Sequence, residues 1–208
     1  MKKLMKFLLV ASLGINGLAM ANKPAKVIGD AAKGKAISAA CTACHGADGN
    51  SATPVWPKIA GQGDAYIIKQ LNDFRSGSRA EATMTPMAKG IASDEDVLHL
   101  AAYYSSQKTK LGTANKDKLA LGEAIYRGGN LATGVAACSA CHGPTGSGNV
   151  AAKFPKVAGQ HAQYTVIQLK AFKAGKRKND VEEIMRGVAK NMTEEEMEAV
   201  AEYISGLR

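Results

Sequence analysis

The sequence predicts an all-α protein in which one helical unit of about 90 residues is written twice. Three observations carry that expectation. The stretch WPKIAGQGDAYIIKQLNDFRSGSR (56–79) overlays FPKVAGQHAQYTVIQLKAFKAGKR (154–177) with 11 of 24 positions identical, and SDEDVLHLAAYYSS (93–106) overlays TEEEMEAVAEYISG (193–206). Apolar residues in these stretches recur at helical spacing, and no strand-like alternation is sustained anywhere. All four cysteines stand in two near-identical strings 97 positions apart, CTACHGADGN from Cys41 and CSACHGPTGS from Cys138.

The chain opens on a leader. MKKLMK is a basic start, FLLVASLGING is mostly apolar, and Ala19, Met20 and Ala21 form an A-x-A cleavage site, so residues 1–21 read as a secretory signal peptide removed after Ala21. The apolar run is shorter than the roughly 20 residues that span a bilayer. The expected mature protein is soluble, exported, and located in a bacterial periplasm. Its formal charge of +9 loses Lys2, Lys3 and Lys6 with the leader and falls to about +6.

After the leader come an N-terminal domain, 22–112, and a C-terminal domain, 113–208. The seam KTKLGTANKDK (108–118) is polar and lacks apolar periodicity, as suits a linker. In each copy a middle helix carries one apolar sector, Ile68, Leu71 and Phe74 or Val166, Leu169 and Phe172, and stops near Gly77 or Gly175. The closing helices begin with matched capping boxes, Ser93 with Asp96 and Thr193 with Glu196. Their core faces are Val97, Leu100, Ala101 and Tyr104, then Met197, Val200, Ala201 and Ile204. Units this small, with long loops and few aromatics, have thin cores and need a staple or a large apolar filler.

Charge excludes little, but it argues against nucleic acid as a partner, because Lys and Arg are spread over both halves rather than gathered in a stripe. The densest basic run, Lys170, Lys173, Lys176, Arg177 and Lys178, reads as a solvated helix end, with docking of an acidic partner as the alternative.

Three chemistries compete for Cys41-x-x-Cys44-His45 and Cys138-x-x-Cys141-His142. A redox disulfide lacks a βαβ context, and a four-cysteine zinc site needs its two pairs roughly 15–20 residues apart. Covalent haem attachment uses both thiols for thioether bonds to the porphyrin and the adjacent histidine as the proximal iron ligand. Only that chemistry requires the histidine in both copies, and a haem also supplies the missing filler. For the sixth ligand, Met87 lies 42 residues after His45 and Met185 lies 43 after His142. No other methionine repeats in this way; Met84 faces an acidic position in the other copy, and Met197 belongs to a core face. His/Met ligation favours ferrous iron and closes the coordination sphere, which suits electron transfer rather than catalysis. Pro57 and Pro155 stand where a rigid turn aims a backbone carbonyl at the proximal histidine N–H. Tyr66, Tyr164, Trp56 and Lys58 stand equally for haem-propionate partners and for packing or surface residues, and His99 and His161 read as surface or packing residues.

With these residues in view the chain resembles the dihaem cytochromes c4, two class I c-type cytochrome domains in tandem. The resemblance covers nearly the whole mature sequence. It rests on WPKIAGQ and FPKVAGQ, the T-P-M around Met87, the I-M-R around Met185, and YRGGNLATGVAACSACHG (126–143), which inserts about nine residues in the second copy only. The resemblance implies two covalently bound haem c groups, with Cys41, Cys44, His45 and Met87 on one and Cys138, Cys141, His142 and Met185 on the other. Ile184 stands where relatives often show a second methionine, which favours Met185 as the ligand. It further implies a monomeric, non-enzymatic periplasmic carrier, peripherally membrane-associated in some members, taking electrons from a quinol-cytochrome c reductase toward a terminal oxidase. The rival readings are the cytochrome subunit of a flavin-linked dehydrogenase, a dihaem peroxidase, and a haem-free exported binding module.

Overall fold

The computed structural model describes residues 29–208, so the leader expected at 1–21 lies outside the described residues. The N-terminal repeat holds α1 (Ala31–Ile37), α2 (Ala39–His45), α3 (Asp64–Ser76), α4 (Met84–Lys89) and α5 (Asp94–Ser105). The C-terminal repeat holds α6 (Leu119–Gly128), α7 (Ser139–His142), α8 (Ala162–Lys173), α9 (Ile184–Ala189) and α10 (Glu194–Gly206), with 3-10 turns at Lys116–Lys118 and Val181–Glu183. Among the described residues the only β pairing is two isolated bridges, Asn130 with Val135 and Asn149 with Phe154. The all-α expectation holds in both copies.

Each repeat is built on a crossing of its first and last helices, α1 on α5 and α6 on α10. Glycine makes that crossing close. A Cβ on Gly34 would stand 2.0 Å from the His99 carbonyl oxygen, and one on Gly122 would stand 2.2 Å from that of Ala199. The apolar faces read from the sequence are those that pack. Leu100, Ala101 and Tyr104 of α5 close over Ile67, Ile68 and Leu71 of α3, while Met197, Val200 and Ile204 of α10 close over Ile125 and Tyr126 of α6 and Leu169 of α8.

The caps match only in part. Thr193 and Glu196 form a complete reciprocal box, but at α5 the bond runs one way, from the Asp96 backbone N–H to the Ser93 hydroxyl. Aspartate is one methylene shorter than glutamate, and its carboxylate does not return to the cap N–H. The middle helices end as expected, α3 on left-handed Gly77 and α8 just before Gly175.

The two repeats meet across a pseudo-twofold interface made of their matching segments. Gln62 exchanges two hydrogen bonds with the backbone of Lys156, Oε1 accepting from its N–H at 2.7 Å and Nε2 donating to its carbonyl at 2.9 Å. Gln160 does the same to Lys58 at 2.9 and 2.8 Å. Further along, Arg79 reaches Gln70 of its own repeat and Tyr164 and Gln168 of the other, while Arg177 reaches Gln168 of its own and Tyr66 and Gln70 of the other. The seam is tied down rather than loose: the Asn50 side chain brackets it at the Lys108 carbonyl and the Lys110 N–H, and Thr109 donates to the Ala60 carbonyl.

Candidate haem sites

The cysteine motifs lie on α2 and α7. Spacing of i, i+3 and i+4 puts Cys41, Cys44 and His45, and again Cys138, Cys141 and His142, along one helical sector. Each helix stops directly after its histidine, at Gly46 (φ 76°) and Gly143 (φ 77°), a backbone conformation that glycine adopts without steric cost. The chain then folds back so that a proline carbonyl meets the histidine ring. His45 Nδ1 lies 2.9 Å from the Pro57 oxygen, and His142 Nδ1 lies 2.9 Å from the Pro155 oxygen. The expected role of the two prolines is therefore what the geometry shows.

This bond fixes the chemistry of the rings. A carbonyl can only accept, so Nδ1 carries the proton, and burial pushes both histidines below the usual 6.5 with the bond to the proline carbonyl opposing it in part. Each ring is then a neutral imidazole with the lone pair on Nε2, which no hydrogen bond engages among the described residues. That is the form in which histidine ligates a metal.

The cysteines are unpaired thiols. Burial raises Cys41 and pushes Cys138 up to about 11, the reverse of the depressed values that make a redox-active pair nucleophilic. Among the described residues no three His, Cys, Asp or Glu side chains converge as a metal cluster, so the two pairs do not join into a zinc site. Two thiols and an imidazole with a free Nε2 on one helical sector, once per repeat, fit covalently attached haem.

Met87 and Met185 sit on the matching short helices α4 and α9. The approach to α4 is relaxed, with the Glu81 carboxylate accepting from the Thr83 and Met84 backbone N–H groups at 2.9 and 2.7 Å. Met87 is 41% exposed. The approach to α9 is strained. Glu182 and Glu183 both take left-handed φ, 49° and 57°, and the turn is held by Asp180, which accepts from the Arg186 backbone N–H and Nε at 2.9 and 2.8 Å. Met185 packs on the C-terminal core.

The other singled-out positions take packing, interface or surface places. Tyr66 and Tyr164 face Arg177 and Arg79 across the interface, and Lys58 Nζ donates to the Lys110 carbonyl in the seam. Trp56 is surface-exposed. His99 is a packing residue whose Nδ1 accepts from the Asp30 N–H, and His161 bridges the repeats through Nε2 and the Ser51 carbonyl at 2.8 Å. The basic run is not simply a solvated helix end. Arg177 belongs to the interface, Lys173 donates to the Met192 carbonyl, and Lys170 pairs with Glu194, because the last turn of α8 is where the chain folds back on α10 and on the other repeat. Sequence reasoning missed Gln62, Gln160, Gln70, Gln168, Arg79 and Arg177, although all six are identical positions of the internal repeat.

Comparison with known proteins agrees with the geometry. The family model for cytochrome c matches twice, over residues 31–108 and 120–208. Cytochrome c4 of Pseudomonas aeruginosa is 45% identical over 208 residues, the whole of both chains. The crystal structure of reduced recombinant cytochrome c4 from Pseudomonas stutzeri superposes with a TM-score of 0.83 at 46% identity, covering 86% of this chain and all of that one. A thiosulfate dehydrogenase electron acceptor of Stutzerimonas stutzeri is 37% identical, covering 81% of this chain and 79% of its own. This chain belongs to the dihaem cytochrome c4 family, two class I cytochrome domains in tandem with one covalently attached haem each, and is a dihaem electron carrier.

Proposed function

We propose that the protein is a periplasmic carrier, exported by a leader cleaved after Ala21, that takes electrons from a quinol-oxidising complex and delivers them to a terminal oxidase without catalysing a reaction of its own. Its domains divide at 112/113. Cys41 and Cys44 hold the first haem and Cys138 and Cys141 the second, with His45 and His142 as proximal ligands and Met87 and Met185 on the opposite faces. When bound, each haem supplies a one-electron iron couple.

The observation that supports this reading is the duplication of one arrangement of candidate ligands. Each repeat offers a neutral imidazole oriented by a proline carbonyl, and each offers a methionine at the matched position of a short helix. A peroxidase would need one iron left open. Among the described residues no helix is long and apolar enough to cross a membrane. A second reading, the electron-accepting partner of a dehydrogenase, is favoured by the relative named as a thiosulfate dehydrogenase electron acceptor.

The test is a carbon monoxide difference spectrum of the reduced holoprotein, normalised to haem content. Absence of binding supports two closed His/Met sites. Binding at half the haem would mean one iron opens, and the carrier reading would give way to a peroxidase or sensor. Co-purification with a dehydrogenase would favour the second reading over the first.

A further inference from the structure

Each proximal histidine is one peptide group away from the opposite repeat. The carbonyl that accepts from His45 Nδ1 belongs to Pro57, and the N–H of that same peptide unit is the Lys58 N–H, which donates to Gln160 Oε1 at 2.9 Å. The mirror arrangement joins His142 to the Pro155 carbonyl and the Lys156 N–H to Gln62 Oε1 at 2.7 Å. Neither glutamine is a surface rotor. Each Nε2 is bonded to the carbonyl of the same lysine, and each Oε1 also accepts from the N–H of the next residue, Gly63 at 3.0 Å or His161 at 2.9 Å. Gln62 and Lys58 are buried.

We propose that Gln160 sets the redox poise of the haem in the N-terminal repeat and Gln62 that of the haem in the C-terminal repeat, each acting as a positioning residue through the Pro-Lys peptide of the other domain. The physical route is polarisation. An acceptor on a peptide N–H draws charge toward the carbonyl oxygen of that peptide, because hydrogen bonds in a chain strengthen one another. A more negative carbonyl holds the Nδ1 proton more tightly and makes the imidazole a stronger donor, as outer partners of metal-bound histidine do. A stronger donor favours ferric iron, so the glutamine lowers the potential of the haem across the interface. The expectation follows that the domains tune each other through the contact that holds them together. It rests on His45 and His142 being the proximal ligands proposed above.

The experiment compares Gln160→Leu and Gln62→Leu holoproteins with wild type, by redox titration followed by haem-resolved proton NMR. Gln160→Leu is expected to raise the N-terminal haem, moving the partition of a single electron toward it by about fivefold (~40 mV at 59 mV per tenfold). Gln62→Leu is expected to move the partition the other way. Equal movement of both haems in each variant would mean only that the interface had loosened, and overturns the proposal, as does movement of the variant's own domain or no movement. Should the leucine variants not fold, Gln160→Asn and Gln62→Asn withdraw the amide by one methylene and carry the same signed expectation. Paramagnetically shifted imidazole protons in the wild type read the ligand assignment separately. Their absence sinks the ligand reading, whereas their presence with unmoved potentials sinks the relay alone.

Discussion

Arg177 donates from Nη2 to the phenol oxygen of Tyr66 at 2.9 Å, across 111 residues of sequence and the interface between the repeats. Its guanidinium lies over the Phe172 ring, 4.5 Å from the centroid, and also serves Gln168 and Gln70. Arg79 repeats the pattern over Phe74 at 4.6 Å. Two like charges are thus held near one another by neutral acceptors and aromatic faces.

Replacing one of them should loosen the whole joint. Arg177→Met leaves the Tyr66 phenol without its donor, while Gln70 and Gln168 still accept from Arg79, and an unsatisfied polar group at such a joint costs about 1–3 kcal/mol. We expect a loss of about 1–3 kcal/mol in guanidinium unfolding, together with a larger radius of gyration by small-angle scattering. An unchanged radius and midpoint would show that the guanidinium contributes nothing to domain docking.

Two glycines of one helix should respond with opposite signs. In α6, Gly122→Ala gains helix propensity of ~1 kcal/mol but forces a Cβ to within 2.2 Å of the Ala199 carbonyl. Opening the α6–α10 crossing should cost a net ~1–3 kcal/mol, read as a lower thermal midpoint. Gly128→Ala meets nothing within 4 Å and should raise the midpoint by the propensity gain, reduced by its place in the last turn. Equal effects from the two would contradict the close crossing.

Acid stability carries a specific contribution from Asp48. The hydrogen bond from Lys110 and then that from the Asn50 backbone N–H lower its carboxyl from 3.8 to about 2. A depressed folded pKa means that the stabilisation is present above 3.8 and disappears as pH falls toward about 2. The pair is partly solvated, with Lys110 Nζ 2.9 Å from Asp48 Oδ2 and side chains 73% and 43% exposed. Screening keeps the effect below ~1 kcal/mol. Asp48→Asn should therefore lower stability slightly at pH 6 and much less at pH 2, by urea unfolding at the two pH values. A difference that persists undiminished at pH 2 would assign the effect to something other than the charge.

The axial methionines should be separable. Met87→Ala should give a holoprotein whose reduced form binds carbon monoxide at half its haem, and Met185→Ala should open the other half. The spectrum of each variant normalised to haem content checks this. Full or zero binding in either variant would remove that methionine from the ligand set.

Most of the fold could be read in advance because each element rested on local chemistry. The apolar faces of α5 and α10 and the stop of α3 at Gly77 depend on helical period and on glycine, which neighbouring residues settle. The capping box at Ser93 shows the limit, since a side chain shorter by one methylene left half of it unmade. The basic run from Lys170 was harder to read, because whether Arg177 meets water or Tyr66 depends on a segment more than a hundred residues away.

The sequence by itself determined the duplication, the two cysteine-histidine motifs, the matched methionines and the helical class, since spacing within one helix or one turn decides each of them. It also contained an unread clue. Of the residues identical between 56–79 and 154–177, Gln62, Tyr66, Gln70 and Arg79, with their counterparts Gln160, Tyr164, Gln168 and Arg177, prove to be interface residues. Only the tertiary structure decided that they face their own copies across a pseudo-twofold contact. A self-complementary interface needs the same side chain on both sides, and that constraint acts between distant segments only once the chain has folded.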